Sequence, residues 1–278
     1  MKKISRRSFM AAAAVSVAAL AMTACGGSAS SAASSVASSA ASSEAVSSAA
    51  AAELTTVEAG KLTMATNAAF PPYEMTTDAG EFEGIDVDTA KAIAEKLGLE
   101  LQIDDMDFDA ALLSVQQGKA DIVMAGVTVT DERKAVMDFS DSYATGIQSI
   151  IVPNDSEIAS PDDLAGKKIG TQRGTTGYIY CSDDFGDDAV VAYDNGLTAV
   201  QALNNGQVDA VVIDNAPAKE YVAANPGLAI LDTSYAEEDY AIGMAKGSSL
   251  EAAVNAALEE LKADGTLQAI VDKYITAE

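Results

Sequence analysis

The sequence predicts an α/β fold that is divided into two lobes. Two segments align without a gap, ALLSVQQGKADIVMAG (Ala111–Gly126) and AVQALNNGQVDAVVID (Ala199–Asp214). Each is typical of a short amphipathic helix closed by a glycine, Gly118 or Gly206, and followed by an apolar strand that opens on an aspartate. A helix followed by an apolar strand is the repeating unit of parallel α/β sheets. The repetition therefore predicts one such unit in each of two lobes.

The first 24 residues predict an export signal rather than a part of the fold. The basic residues Lys2, Lys3, Arg6 and Arg7 precede an apolar run at 10–21 and a small-residue exit. The sequence SRRSFM in this stretch also resembles a twin-arginine signal. The sequence therefore predicts export by either the general secretory or the twin-arginine route.

A cysteine follows this exit directly, in the context MTACG. This context resembles the lipobox of bacterial lipoproteins, in which Cys25 would be lipidated and become the new N-terminus. Because Met22 stands where leucine is usual, cleavage of a plain signal peptide near Ala24 is the alternative. Residues 26–53 are almost wholly Ser, Ala and Val, which bury too little surface to offset the entropy of ordering. We expect a disordered tether over 25–53 with an r.m.s. reach of roughly 28 Å.

The remaining residues, 54–278, are enough for one large domain or two smaller ones. Their composition limits which functions this part of the chain can have. The formal charge is −25, and it becomes −29 without the four basic signal residues, which disfavours nucleic acid and anionic lipid surfaces as partners. The chain has no histidine, and its only cysteine besides Cys25 is Cys181. These counts argue against histidine-based catalysis, imidazole or thiolate metal sites and a disulfide within the chain. We expect no cofactor and no metal.

The other elements follow in chain order. The pattern predicts a strand at 61–66 that leads into the loop NAAFPPY (Asn67–Tyr73), and a helix at 88–97 capped by Asp88. It predicts a further strand at 168–171, which runs into the small residues GTTG (Gly174–Gly177). Two helices end the chain, one reaching Ala263 and one at 267–274.

Arg133 is one of only two arginines beyond the signal segment. It follows an apolar run at 122–129, which predicts a buried strand, and it opens a helix predicted at 133–139 with Thr130 as its cap. Arginine binds a carboxylate in a fixed bidentate geometry. The sequence therefore indicates an anion site at Arg133, and a surface ion pair with Asp131 or Glu132 is the alternative.

The aligned repeat places Gly126 and Asp214 at the carboxyl ends of their two strands. Open α/β sheets bind ligands at that edge. A backbone carbonyl from one lobe and a carboxylate from the other would meet across a crevice, and such acceptors suit an ammonium group. The alternative role for Asp214 is to cap the helix that starts near Ala216.

Seven motifs together resemble the bacterial family 3 extracellular solute-binding proteins, the receptors of polar amino acid ABC transporters. In order they are ATNAAFPPYE (65–74), GIDVD (84–88), MDFDAALL (106–113), AGVTVTDERKAVMDFS (125–140), GTTG (174–177), VDAVVID (208–214) and ADGTLQAIVDKY (263–274). The resemblance covers about Leu54 to Glu278. It implies a two-lobed, type II periplasmic-binding-protein (Venus-flytrap) fold with two hinge strands. Lobe 1 would comprise 54–145 plus 241–278, and lobe 2 would comprise 146–240.

The resemblance also implies the residues of a ligand site. Arg133 matches the arginine that grips the α-carboxylate, which Thr128 and the amide of Thr176 would share. The α-ammonium would go to Asp214, to the carbonyl of Gly126 and to Thr128. Phe70 and Phe108 match the aromatic positions that sandwich the ligand side chain, although packing in the core is the alternative for both.

Departures from the family pattern bear on which ligand is bound. Members for cationic amino acids, and for glutamine, typically carry Asp where this chain has Asn67. Glutamine-binding members carry Lys and His where this chain has Gln172 and Ile213. A neutral Asn67 and an amide at Gln172 favour a neutral, polar or mid-sized side chain, because a buried cationic head would lack its counter-charge. Arg173 would permit an acidic ligand or a cystine-like zwitterion if it pointed inward, and would be a solvated residue if it pointed outward.

The resemblance implies a receptor that is not an enzyme. It would be a monomer, lipid-anchored to the cell membrane at the surface or in the periplasm, which closes on an amino acid and docks on an ABC transporter permease. The same fold resembles dehydratases and the sensory domains of kinases, and these are the alternatives. With no histidine, an enzyme would need a carboxylate such as Glu74 as its general acid.

Overall fold

The structure, a computed structural model, describes residues 54–275. The predicted signal peptide (1–24), Cys25 and the tether over 25–53 lie outside the described residues, as do residues 276–278. No helix in the described range is both long and apolar enough to cross a membrane.

The described part of the chain contains fourteen strands and eight helices. In chain order the strands are β1 (Lys61–Thr66), β2 (Ala69–Phe70), β3 (Glu74–Thr76), β4 (Phe82–Glu83), β5 (Glu100–Asp105), β6 (Ile122–Val123), β7 (Met137–Phe139), β8 (Ala144–Pro153), β9 (Ile169–Gln172), β10 (Val190–Tyr193), β11 (Ala210–Asp214), β12 (Leu228–Ile230), β13 (Ala236–Tyr240) and β14 (Gly243–Ala245). The helices are α1 (Ile85–Leu97), α2 (Phe108–Gln116), α3 (Asp131–Val136), α4 (Thr176–Phe185), α5 (Gly196–Asn204), α6 (Asn215–Ala224), α7 (Glu251–Ala263) and α8 (Thr266–Tyr274). Short 3-10 turns lie at Pro161–Leu164 and Asp187–Ala189.

The first lobe is built on a five-stranded sheet with the order β5-β1-β6-β14-β7. Strands β5, β1 and β6 are parallel, whereas β14 runs antiparallel to β6 and β7. Five of the six residues of β1 are buried, as expected for a strand covered on both faces. Helices α1, α7 and α8 pack together beside this sheet, and a small antiparallel sheet, β2-β3-β4, follows β1.

The second lobe contains a six-stranded sheet. Its main path is β10-β9-β11-β8-β12, and β13 also pairs with β8. Strands β10, β9 and β11 are parallel, and β8 runs antiparallel to β11, β12 and β13. The chain passes between the two sheets twice, from β7 to β8 and from β13 to β14, so two extended connections join the lobes.

The internal repeat is confirmed in atomic detail. Gly118 and Gly206 end helices in the left-handed region, with φ angles of 65° and 67°. Asp121 accepts the backbone amide of Thr63, within β1, and Asp209 accepts that of Lys168, just before β9, each at 2.7 Å. The two aspartates therefore play the same structural role in the two lobes. Each lies just before its own strand and accepts a hydrogen bond from a backbone amide of the neighbouring strand segment.

The predicted bounds around Arg133 are partly wrong. Strand β6 stops at Val123, and the rest of the predicted strand at 122–129 is loop, with a single bridge between Thr128 and Tyr240. Helix α3 ends at Val136 instead of residue 139, because Met137–Phe139 pair with β14. The cap was predicted correctly, since the Thr130 hydroxyl accepts the amide of Arg133 at 3.2 Å. Pairing with a strand distant in sequence overrides the local helical pattern here.

Cys181 is buried in α4, as is typical of an unreactive structural thiol. Burial raises the pKa of its thiol to about 12, so the reactive thiolate is disfavoured at neutral pH.

Candidate ligand-binding site

A small cavity lies where the two lobes meet. It is lined by all nine residues predicted for the site, which come from both lobes: Asn67, Phe70, Phe108, Gly126, Thr128, Arg133, Gln172, Thr176 and Asp214. Three further lining residues are Glu74, Ala125 and Thr175. Several of these residues end or directly follow the parallel strands β1, β9 and β11, so the cavity occupies the edge at which open α/β sheets bind ligands.

Arg133 is buried, with 8% of its surface exposed. Its guanidinium donates to the carbonyl of Thr128 at 2.8 Å and, across the cleft, to the carbonyl of Gly174 at 3.1 Å. These bonds replace the surface ion pair with Asp131 or Glu132 that was the alternative. A guanidinium has five N–H donors and these two bonds do not use them all, so donors remain for an anion in the cavity.

The aromatic residues of the cavity differ in their surroundings. The Phe108 ring lies under the guanidinium of Arg133, 5.4 Å from the carbon of that group to the ring centroid. Phe70 stacks on Tyr73, with 6.0 Å between the ring centroids. Both phenylalanines are buried and face the cavity, and Phe108 also supports the cation by a cation–π contact.

Helix α4 begins at the cavity wall. Its cap is Thr175, whose hydroxyl accepts the amide of Tyr178 at 3.3 Å, and its first residue is Thr176. The amides at the start of a helix lack partners within the helix and carry a partial positive charge. The start of α4 and Arg133 therefore give one region of the cavity an affinity for anions.

Asp214 gives another region of the cavity the opposite preference. It stands at the cap position of α6, but its side chain makes no capping hydrogen bond. One carboxyl oxygen accepts the amide of Gln148 at 2.8 Å, and the other has no hydrogen-bond partner among residues 54–275. Burial raises the pKa of Asp214 to about 7, and the nearby Glu238 carboxylate adds to this effect. A cation in the cavity would supply the missing partner.

Gly126 is held by a residue that the sequence analysis missed. Its φ angle is +55°, and its amide donates to the buried carboxylate of Asp86 at 3.0 Å. Asp86 also accepts the Tyr143 hydroxyl at 2.7 Å. Helix α1 begins at Ile85 and not at the predicted Asp88, which places Asp86 in the first turn. The motif GIDVD contains Asp86, but only the burial of the helix start distinguishes it from Asp88.

Two side-chain amides close one end of the cavity. Gln172 donates to the carbonyl oxygen of Asn67 across the cleft at 2.9 Å, and Asn67 donates to the backbone of Met106 at 2.9 Å. Both amides are neutral and buried. In a further contact between the lobes, the Tyr221 hydroxyl donates to the carbonyl of Ala69 at 2.8 Å. The lobes are therefore closed on one another.

Glu74 is the second residue that the sequence analysis did not assign to the ligand site. It is fully buried on β3, faces the cavity, and neither of its carboxyl oxygens has a hydrogen-bond partner in the described part of the chain. Burial and the neighbouring Asp86 raise the pKa of Glu74 well above its ordinary value. Burial and the neighbouring Asp86 therefore favour the neutral form of Glu74.

Arg173 points away from the cavity. Its side chain is 56% exposed, donates to the carbonyl of Ala192 at 3.3 Å and lies 3.9 Å from the carboxylate of Asp194. The outward alternative is therefore the one observed, and Arg173 supplies no counter-charge for an acidic ligand in the pocket.

A cavity closed between two α/β lobes defines the chain as a two-lobed binding protein. The family model described as "Bacterial extracellular solute-binding proteins, family 3" matches residues 62–277. The chain belongs to this family, and its fold is the type II periplasmic-binding-protein fold. Because the family is extracellular, the protein is located outside the cytoplasm.

Relatives and solved structures agree with this assignment. The L-cystine-binding protein TcyJ of Escherichia coli (strain K12) is 33% identical over 225 residues, which cover 80% of this chain and 85% of the relative. The arginine-binding extracellular protein ArtP of Bacillus subtilis (strain 168) is 33% identical over 228 residues, covering 78% of this chain and 87% of ArtP. The structure of an ancestral arginine-binding protein bound to glutamine has 42% identity and a TM-score of 0.75, and the match covers 78% of this chain and 99% of that one. The two relatives are named as binding proteins and not as enzymes.

Proposed function

We propose that the chain binds a free amino acid between its lobes and delivers it to the permease of an ABC transporter, without catalysing a reaction. The observation that carries this proposal is the pairing of two buried groups on one closed cavity. The two hydrogen bonds of the Arg133 guanidinium leave some of its N–H donors unused. One carboxyl oxygen of Asp214 has no hydrogen-bond partner among the described residues. An α-amino acid carries the carboxylate and the ammonium that these two groups require.

The proposed contacts follow the chemistry of the lining. The α-carboxylate would bind Arg133 and the amide of Thr176, and the α-ammonium would bind Asp214 and the carbonyl of Gly126. Each charge would then be paired and hydrogen-bonded, which makes the burial of both tolerable. Phe70 and Phe108 would flank the ligand side chain.

Closure follows from the division of these groups between the lobes. Arg133 and Gly126 belong to the first lobe, whereas Thr176 and Asp214 belong to the second. A ligand that touches both sets gains contacts that exist only when the lobes are closed, so it shifts the population toward that state. The closed form would then dock on the permease. We also propose the lobe boundaries 54–145 plus 241–278 and 146–240, which are supported by the strands that each sheet contains.

For the ligand side chain we propose a neutral, polar or mid-sized group. The support for this is the amide pair of Asn67 and Gln172, which offers hydrogen bonds without charge at the end of the pocket. Glu74 favours a second candidate, a cationic side chain, since a buried carboxyl group on the cavity wall becomes a counter-charge once it ionises. Among the relatives, one is named for cystine and one for arginine, and the ancestral protein was bound to glutamine.

A thermal-shift screen of residues 54–278 against the twenty common amino acids and cystine tests the function and the ligand class together. At a hundredfold excess over Kd, a ligand of the native state adds about 2.7 kcal/mol of stability. For a domain of this size the midpoint should rise by roughly 5–10 °C. Neutral polar hits would support the proposed class, and hits restricted to arginine and lysine would support the second candidate. No shift with any amino acid would contradict the function.

We further propose that the protein is a monomer, lipid-anchored through Cys25 by a tether over 25–53, and that it binds no nucleic acid. The lipobox-like context MTACG supports the anchor, and the net charge of −25 supports the lack of affinity for nucleic acid.

Mass spectrometry of the full-length chain expressed in a bacterium checks the anchor. The expected product lacks residues 1–24, carries a diacylglycerol on Cys25 and sediments with the membrane fraction. Two acyl chains give stable membrane binding where one would not. The variant Cys25→Ser should give a soluble or unprocessed product. An unmodified, soluble wild-type product that begins near residue 25 would show a plain signal peptide instead.

A further inference from the structure

Glu238 is a buried acid that lies beside the site but outside the set of predicted residues. It sits on β13 with 7% of its surface exposed, between the exposed residues Glu237 and Asp239. In the sequence these three form an acidic run, and only the alternation of side chains along a strand places the middle one inside. Burying a carboxylate is costly unless it is hydrogen-bonded.

One oxygen of Glu238 receives three hydrogen bonds from three parts of the molecule. The Thr128 hydroxyl donates from the first lobe at 3.1 Å, and the Thr176 hydroxyl donates from the second lobe at 2.9 Å. The amide of Gln148, on the long strand β8, donates at 3.0 Å. The carboxylate thus joins both lobes and the strand that follows the first crossing between them.

The two hydroxyl oxygens also lie 3.4 Å apart, but their bonds to Glu238 are shorter, and these bonds direct the two hydroxyl protons. A hydroxyl has one proton and two lone pairs, and a carboxylate can only accept. With their protons given to Glu238, the oxygens of Thr128 and Thr176 can only accept from anything else in the cavity that they line. A ligand ammonium can donate to such an oxygen, whereas a ligand carboxylate cannot. In this arrangement the hydroxyl of Thr128 cannot share the α-carboxylate, whereas its backbone amide still can, and the predicted contact of the hydroxyl with the ammonium agrees with the arrangement.

The same network connects the two charged halves of the site. The amide nitrogen of Gln148 donates to Asp214 at 2.8 Å as well as to Glu238 at 3.0 Å, and it also lies 3.4 Å from the hydroxyl oxygen of Thr176, which can accept from it. The unpartnered oxygen of Asp214 is thereby left for a ligand. The negative charge of Glu238 also offsets part of the effect of burial on Arg133, whose pKa is lowered by desolvation and raised by Glu238.

We propose that Glu238 is a positioning residue which fixes the hydroxyls of Thr128 and Thr176 as hydrogen-bond acceptors and so defines the ammonium side of the amino acid site. This inference rests on the function proposed above. It assigns the α-carboxylate to Arg133 and backbone amides alone, and it gives the α-ammonium a hydroxyl acceptor from Thr128 in addition to Asp214.

The test compares Glu238→Gln with the matched control Glu237→Gln, one residue along the same strand on its exposed face. Calorimetric titrations use L-glutamine, L-arginine and L-cystine as probes, and the probe that wild type binds most tightly is followed. A glutamine at 238 can donate as well as accept, so it no longer dictates the hydroxyl direction. We expect Glu238→Gln to weaken binding at least tenfold, and Glu237→Gln to stay within twofold of wild type.

A double-mutant comparison separates positioning from a merely structural effect. In a Thr128→Val/Thr176→Val background there are no hydroxyl protons to orient, so Glu238→Gln should change the affinity less than twofold. An equal loss in both backgrounds, or wild-type affinity for Glu238→Gln alone, would overturn the inference. If Glu238→Gln is unfolded by circular dichroism, Thr128→Val decides: a fivefold or greater loss supports the acceptor role, and unchanged affinity overturns it. If wild type binds none of the three probes and the amino acid screen is also empty, the proposed function itself has failed.

Discussion

Arg133→Ala is expected to weaken amino acid binding by at least about 2 kcal/mol, or roughly 30-fold in Kd. The variant removes the buried guanidinium whose remaining N–H groups face the cavity, and it would leave the α-carboxylate of the ligand buried without its cation. Leaving one charge of a buried pair unpaired is the costly event. Isothermal titration with the amino acid selected by the thermal-shift screen measures the effect.

Arg173→Ala is the matched control, because Arg173 is the other arginine of the described chain and its side chain is 56% exposed. Its removal should change Kd less than twofold. Arg133→Lys should recover only part of the loss, since an ammonium cannot bind both carboxylate oxygens in the fixed geometry of a guanidinium. Wild-type affinity in Arg133→Ala would show that the carboxylate lies elsewhere.

Amino acid affinity is also expected to fall on acidification, by roughly 20-fold between pH 7.5 and 5.5. Burial raises the pKa of Asp214 to about 7, so its carboxylate is mostly ionised at the upper pH and only a few per cent ionised at the lower one. The groups around it are the carboxylate of Glu238, the hydroxyl of Tyr240 and the amide of Gln148. A ligand ammonium needs the charged form, so each protonated Asp214 is a lost site. Titrations at several pH values measure the slope, and Asp214→Asn, which binds weakly at every pH, should show a flat profile.

The stability of the ligand-free protein should rise on acidification, whereas the amino acid affinity should fall. Burial raises the pKa values of Asp214, Asp86 and Glu74 above those of the unfolded chain, so the folded state holds more protons between pH 4 and 7. Stability contributed by these groups is therefore present at low pH and lost as the pH rises through their folded values. Carboxyls with lowered pKa, such as Asp138 beside Lys246, stay ionised throughout the range of pH 5.5–7.5. The ligand-free midpoint should rise on acidification while the shift caused by the amino acid shrinks, and a parallel rise of both would contradict the role of Asp214.

Much of the fold was readable from local pattern. The glycine that ends a helix, the aspartate that opens the next strand and the apolar run after it recur in both lobes, and each is a short-range signal with a direct physical cause. Element bounds failed where a partner distant in sequence intervened. Met137–Phe139 would extend α3 by local preference, but they pair with β14, which lies more than a hundred residues later.

The residues of the candidate site also fall into two groups, those that the sequence predicted and those that it did not. Arg133 and Asp214 were readable because each follows a predicted strand and carries a charge that a carboxylate or an ammonium would need. Glu74, Asp86 and Glu238 were not assigned to the site, because in the sequence they are ordinary acidic residues among 42. Their importance comes from burial, which the sequence does not state residue by residue.

The sequence by itself predicted the class of fold, the two-lobed division and nine of the twelve residues that line the cavity, several of them only through the resemblance to the family. Arg133, Gly126 and Asp214 were readable from local pattern, because strand ends, helix caps and charged side chains at those ends are local features and parallel sheets bring such ends to one edge. The other site residues came from the resemblance to the family. Only the tertiary structure decided which oxygens and protons face one another. These arrangements depend on how the two lobes and the two connections between them pack together, and no local sequence pattern encodes that packing. They include the outward direction of Arg173, the amide pair of Asn67 and Gln172, and the three hydrogen bonds to Glu238.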